Sequence, residues 1–514
     1  MKKRAQHPDA HTYTIIFRGC TEHPDSQMAL AKGLAFYHSM LSSKMITPNT
    51  IHMNAVLKMC ARARDLDAMY TIVSTMPEKG VRAPNNLTYT TILNALRMHA
   101  VGDLRGSLTP MQKRQNIRQA CLNARRLWAD VVIRWRRGDV FIDEELVSAM
   151  GRILINGEPR DVDDVLSLVE QTMGIPRQTP RLALPTNAIS QKEPSSEVVA
   201  QTVQEQTRSL FVDESTSLPE DQQEGQEIAI DIFKAPRPTS RAANAYAKPG
   251  RNSLSLVMQV MDSLQRKEAA VTYWSIFTRK FGVIPDAENY HSYLRVLRRM
   301  RASADTVDLL LEMPREYMAD KTFIIAMSTC ERDKNNRNAF ANAGKILDVM
   351  QSTLNIPNLT ALRTYLEVAV SSPAYFKAVK GSTEATTSSA YAQGKQILRA
   401  LDRLNPSYIN IKSFIAYDPA ASDKRKMQED ILALTRKMIA LCDILMNKGL
   451  VEREMYSAIC AQRNKFAAFT QRMVKATSTR SAIKGSKNQS EVISCAEALE
   501  MDKNREAVTG LSEK

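Results

Sequence analysis

The stretch Pro84-Asn85-Asn86-Leu87-Thr88-Tyr89-Thr90-Thr91-Ile92-Leu93 decides the fold class, because its pattern recurs along the chain. A proline cannot continue a preceding helix, and an Asn or Asp beside it can cap the next one. The same Pro-Asp or Pro-Asn pair stands at Pro8-Asp9, Pro48-Asn49, Pro285-Asp286 and Pro357-Asn358. Pro48 follows Pro8 by 40 residues and Pro84 follows Pro48 by 36. Met318-Ala319 fills the slot between Pro285 and Pro357, at spacings of 33 and 39. A bulky residue sits four places after the Asp or Asn (Tyr13, Met53, Tyr89, Tyr290), usually followed by a small polar one (Thr14, Asn54, Thr90). Fixed periods of this size are the signature of stacked repeats.

Working outward, apolar residues fall at helical spacing: Ala55, Val56, Met59 and Cys60, then Leu66, Met69, Ile72, Val73 and Met76. Beyond the centre, Leu256, Val257, Val260, Met261 and Leu264 repeat the pattern, as do Tyr293, Leu294, Val296 and Leu297. Strand-like alternation is scarce. An all-α array of helical hairpins follows, with segments too short for one long coiled coil. Composition agrees. The 514 residues are 44% apolar, too many for a wholly disordered chain. Eighteen glycines are too few for the turns of a large all-β protein. The seven cysteines are odd in number and form no C-x-x-C, which argues for a reducing compartment and against a structural zinc site. No apolar run approaches the length of a membrane helix.

The net charge of +15 is unevenly spread. Between Gln191 and Asp231 ten acids meet only Lys192 and Arg208, so that window carries −8 and leaves +23 for the rest. The surrounding residues are rich in Gln, Ser, Thr and Pro. Residues 178–250 therefore read as a disordered acidic linker that splits the array. The expected organisation is an N-terminal array over 1–177, the linker, a degenerate C-terminal array over 251–410, a helical cap over 411–475 and a polar tail over 476–514.

The repeated residues resemble the pentatricopeptide repeat family, whose unit of about 35 residues reads roughly V-T-Y-N-x-L-I … A-x6-M-x3-G-x2-P-D. Seven or eight units are visible, ending at 49, 85, 143, 177, 286, 319, 358 and 410, the third with a basic insert near 100–137. The resemblance implies a right-handed superhelical α-solenoid that binds single-stranded RNA, one base per hairpin. It implies that the polar residue of the first helix and the last residue of the unit share a base edge. The pairs would be Thr14 with Asn49, Asn54 with Asn85, and Thr90 with Asp143, favouring adenine, a pyrimidine and guanine in turn. Ser148 with Arg177, His291 with Ala319, and Ile324 with Asn358 match no standard pair. Asn54 and Thr90 are expected outside the core, so replacing both with Ala should weaken RNA binding without unfolding.

Basic residues supply candidate contacts to phosphates and bases. Lys113, Arg114, Arg118, Arg125, Arg126, Arg134, Arg136 and Arg137 fall within 25 residues, with Trp128 and Trp135 among them for stacking. A second group comprises Arg295, Arg298 and Arg299, and Arg363 suits a phosphate better than a base edge. The same residues read alternatively as a solvated helix face with Trp128 and Trp135 in the core.

No phosphate-binding glycine loop, H-E-x-x-H or G-x-S-x-G occurs, so neither an enzyme nor a cofactor or metal is expected. The resemblance, particularly to fungal mitochondrial members, implies a mitochondrial matrix protein acting on an organellar transcript or small-subunit ribosomal RNA in processing, stability or translation. The alternative is a scaffold or ribosome-associated subunit that binds mainly proteins, including those of the mitoribosomal small subunit. A monomer is expected. Repeat-like sequence begins by Pro8-Asp9 without an Arg- and Ser-rich presequence, so the expectation is that the recorded start lacks one.

Overall fold

The computed structural model describes residues 8–43, 46–102, 108–182, 232–234, 246–373, 383–417 and 421–474. Two compact units divide at Val296/Leu297. Each is built of helices alone among the described residues.

In the first unit the helices are α1 (Ala10–Glu22), α2 (Ser26–Leu41), α3 (Thr50–Ala63), α4 (Leu66–Ser74), α5 (Asn86–Val101), α6 (Pro110–Arg137), α7 (Glu144–Leu154) and α8 (Pro159–Met173). Then come α9 (Arg251–Leu264), α10 (Lys267–Ser275, extended by a π turn at Ile276–Lys280) and α11 (Ala287–Arg299), whose last three residues belong to the second unit. Odd-numbered helices pack on one another in order, α1 on α3, α3 on α5, α5 on α7 and α7 on α9. Even-numbered helices fill the layer behind: α2 packs on α3, α4 on α5, α6 on α7 and α8 on α9. This is the one-dimensional stacking of an α-solenoid, in which each hairpin buries its apolar stripe against the next.

The Pro-Asp and Pro-Asn pairs start the first helices as expected. Asp9 accepts the Thr12 amide, Asn49 that of His52, Asn85 that of Thr88, Asp286 that of Asn289 and Asn358 that of Ala361. Each such cap is worth about 1 kcal/mol. The bulky residue four places on is buried every time: Tyr13, Met53, Tyr89, Tyr290 and Leu362.

The linker interrupts the sequence and not the stack. Helix α9 packs on both α7 and α8 although 77 residues separate Met173 from Arg251. Gly250 precedes α9 without a side chain to cap it, and Glu144 of α7 takes over. Its Oε1 accepts both the amide and the hydroxyl of Ser253, each at 2.8 Å. A Cβ at Gly151 would run into Leu256, so the two backbones approach as closely as glycine permits. The array therefore does not divide into two arms at the linker, because the stacking faces of α7, α8 and α9 bury each other.

Most of the acidic stretch lies outside the described residues. Its described parts are docked, contrary to a linker free along its whole length. Arg177 pairs with Asp163 at 2.7 Å, and the Gln178 amide donates to the Tyr273 hydroxyl. The turn Ile232–Lys234 buries Phe233 against α6 and α8. Tyr246 meets the Trp135 ring edge-on, and the Ala247 amide donates to the Thr172 carbonyl.

The second unit contains α12 (Ser303–Glu312), α13 (Asp320–Arg332), α14 (Ala339–Thr353), α15 (Leu359–Ser371), α16 (Thr383–Tyr417), α17 (Ala421–Asn447) and a final helix over 456–474. Here α13 packs on α15 and α15 on α17, with α14 and α16 behind them. Residues expected to form a separate cap, 411–475, thus include a further hairpin. Tyr408 of α16 packs on Phe466 and Phe469 of the final helix.

Candidate nucleic-acid interface

The sites with the chemistry to read a base lie at the beginnings of the first helices. Asn54 and Asn85, paired by sequence reasoning, meet: the Asn54 amide donates to Asn85 Oδ1 at 3.2 Å. Asn54 Oδ1 accepts from the Thr88 hydroxyl at 2.7 Å, and Thr88 Oγ1 in turn accepts the Asn85 amide. Thr90 and Asp143 have no printed bond to each other, but Asn86 links their surroundings. Its carbonyl accepts the Thr90 hydroxyl, and its amide donates to Asp143 Oδ2 at 2.6 Å. The Thr14 hydroxyl turns back onto the Ala10 carbonyl, the same carbonyl that His52 Nε2 contacts at 2.9 Å. Asn49 is tied to His52 through both its amide and its side chain.

The residue three places after each cap had not been singled out, and it organises this row. His52, Thr88, Ser253 and Asn289 are all buried. Each accepts its own cap's amide and reaches the preceding first helix. His52 contacts the Ala10 carbonyl, Thr88 donates to Asn54, Ser253 donates to Glu144, and Asn289 donates to the Arg251 carbonyl and Ser255 hydroxyl. His52 accepts through Nδ1, so its proton sits on Nε2. The capping-box pattern was the available signal for these positions.

Burial corrects one expectation. Asn54 is 4% exposed and Thr90 8%, so both belong to the packed seam between first helices. Asn54→Ala would leave Thr88 and Asn85 without partners, and the double Ala variant will cost stability. What the row does expose is apolar: Ile51 is 60% exposed and Leu87 42%, each two residues after its cap. Nine residues after the cap the first helices expose Arg18, Lys58 and Arg152. These cations are far apart in sequence and share a register, so a search for local clusters passes over them.

The insert behaves differently. It forms α6, a second helix, and so lies in the layer behind the base-edge candidates. Trp128 is fully buried and donates to Gln171 at 3.2 Å, and Trp135 is 7% exposed. Neither offers a free ring face, which corrects their assignment to stacking. Arg125 bridges Asp161 at 2.6 Å and Asp164 at 2.7 Å and lies over the Phe233 ring. Arg134 holds Asp130 at 2.9 Å and the Glu78 carbonyl. Asp130 also accepts the Tyr89 hydroxyl, whose titration burial and this carboxylate push upward. Arg125 and Arg134 are thereby structural. Arg126, Arg136 and Arg137 remain exposed. Arg295 pairs with Glu288 at 2.9 Å, Arg298 is half-buried, and Arg299 and Arg363 are exposed.

Among the described residues no group of three or more His, Cys, Asp or Glu could hold a metal, and no helix is long and apolar enough to cross a membrane.

Comparison with known proteins accords with this layout. A family model described as the pentacotripeptide-repeat region of PRORP matches residues 1–108. "Pentatricopeptide repeat-containing protein 2, mitochondrial" of Schizosaccharomyces pombe is 20% identical over 367 residues, 70% of this chain and 68% of the relative. Among solved structures, pentatricopeptide repeat protein PPR10 from maize aligns over 90% of this chain at 13% identity with a TM-score of 0.23. A second structure of PPR10, in complex with an 18-nucleotide psaJ RNA element, gives 13% identity and a TM-score of 0.24. This chain spans 64% and 65% of the length of those two chains. With repeats that begin on Pro-Asp and Pro-Asn caps and stack through successive first helices, the chain belongs to the pentatricopeptide repeat family.

Proposed function

We propose that this protein binds single-stranded RNA along the first-helix row of its first unit. The observation that carries the reading is the meeting of Asn54 and Asn85 at 3.2 Å, where two amides present donors and acceptors beside the exposed side chains of Ile51 and Leu87. Such a pair matches a base edge by hydrogen bonding, and an apolar side chain packs on the base face. Thr14 with Asn49, and Thr90 with Asp143, repeat the arrangement on either side. The exposed Arg126, Arg136 and Arg137 of α6 lie in the second-helix layer and act through long-range attraction of the polyanion. Arg295, Arg298, Arg299 and Arg363 are the further candidates for phosphate contact.

The name of the fission yeast relative supports a mitochondrial location, in the matrix, where an organellar transcript or the small-subunit ribosomal RNA would be the target. The role is binding, in processing, stability or translation, and not catalysis. Crosslinking in cells followed by sequencing of the bound RNA tests it. One enriched organellar RNA is the expected result, and no RNA above background would overturn the reading.

A second reading applies to the second unit. Its first helices carry Ile324, 37% exposed, and Arg363 where a base-reading hydroxyl or amide would stand. These residues suit a protein surface, including a mitoribosomal one, better than a base edge. Recovery of a protein complex that survives ribonuclease treatment supports that role.

A further inference from the structure

Two arginines on successive first helices lie together with no carboxylate between them. Arg97 of α5 sits seven residues beyond Thr90, and Arg152 of α7 sits four beyond Ser148, so both extend the faces that carry the base-edge positions. Arg97 Nε is buried and has no hydrogen-bond partner among the described residues. Its Nη2 finds only the Met98 sulfur, at 3.8 Å. Arg152 donates to Asn252 Oδ1 of α9 at 3.0 Å. Burial, and then the charge of Arg152, lower the Arg97 pKa.

Elsewhere the half-buried arginines of this unit are neutralised. Arg125 has two aspartates, Arg134 has Asp130 and Arg177 has Asp163. A guanidinium kept partly buried beside a second one is costly unless an anion completes the site. The planar fork of donors on each is suited to two oxygens of a phosphate.

We propose that Arg97 and Arg152 form a clamp for one phosphodiester of the bound strand, between the third and fourth hairpins, with Asn252 orienting Arg152 from the fifth. The proposal rests on the RNA-binding reading above and adds a defined backbone subsite to it. A phosphate there would accept from the buried Nε of Arg97 and from the outward guanidinium edge of Arg152. Because α9 supplies Asn252, the clamp depends on stacking across the linker.

The test compares the full chain with its Arg97→Ala/Arg152→Ala variant on a 12-nucleotide single-stranded RNA of randomised sequence and on the matching DNA. Affinity should fall about tenfold or more on both, since both carry the phosphate. The slope of log affinity against log salt should flatten by about 1.4, two single-strand contacts at roughly 0.7 each. The variant should unfold at the same or a higher temperature than wild type, because a like-charge contact is removed. The Arg97→Lys/Arg152→Lys variant should recover part of the salt slope and less of the affinity. An unchanged slope in the Ala variant, with wild type binding normally, overturns the clamp alone. An Ala variant that unfolds at a lower temperature makes the pair structural and also overturns it. Failure of wild type to bind either strand overturns the RNA-binding reading and the clamp together.

Discussion

Helices α5 and α6 are the two halves of one hairpin and use their polar residues in opposite ways. Helix α6 holds the densest run of arginine in the chain, and its best-placed members are spent internally, on Asp130, Asp161, Asp164 and a carbonyl. Helix α5 has one arginine, and it is the one left without an acidic partner. Charge density along a sequence therefore does not locate a binding surface. What matters is whether the fold brings a carboxylate to each cation. Asp161 and Asp164 come from α8, more than thirty residues from Arg125, so no local reading of α6 could have foreseen their arrival.

The sharpest way to break this contrast is at Trp128. If α6 is a structural helix, Trp128→Ala should lower stability by about 3–5 kcal/mol, as for other fully buried aromatics. A thermal melt of the variant would check it, and a small change would return Trp128 to the stacking role. Next in size, Arg125→Ala strands two partly buried aspartates and should cost about 2–3 kcal/mol by denaturant titration. Lysine at the same position should restore only part of that, since it cannot fork to both carboxylates. On α3, Asn54→Ala should cost about 1–2 kcal/mol by unpairing Thr88 and Asn85, as well as weakening RNA binding. Loss of binding with no loss of stability would mean that Asn54 faces solvent. Smallest of all, Arg126→Ala should shift stability by less than about 0.5 kcal/mol. It should also lower RNA affinity less than Arg97→Ala does, by fluorescence anisotropy at fixed salt.

The caps and the buried residue four places after each were legible because their causes are local: a proline, one side chain and one helical turn. The meeting of Asn54 with Asn85 was legible through the same register. The buried seam of His52, Thr88, Ser253 and Asn289 was not read, although its capping-box pattern is local, because its second partner lies on the preceding hairpin. The docking of Phe233 and Tyr246 had no signal in a stretch dominated by Gln, Ser and acidic residues. Single aromatics in such a stretch become anchors only when a distant pair of helices leaves a place for them. The hairpin of α17 and the final helix was hidden for another reason, since it carries no Pro-Asp start.

The bond from Glu144 to Ser253 bears on how the protein reaches its native state. Most first helices of this unit find their neighbour after a short connection, but α9 must find α7 and α8 across 77 residues. Chain closure costs about 0.6 kcal/mol for each doubling of loop length, so four doublings beyond an ordinary turn add roughly 2.4 kcal/mol. That cost falls on the rate at which the two stretches of the unit join, because closure precedes the contacts that reward it. Docking Phe233 and Tyr246 on α6 and α8 divides the long closure into shorter ones. The anchored turns thus act as way-stations in assembly, letting the stack zip onward from α8 to α9.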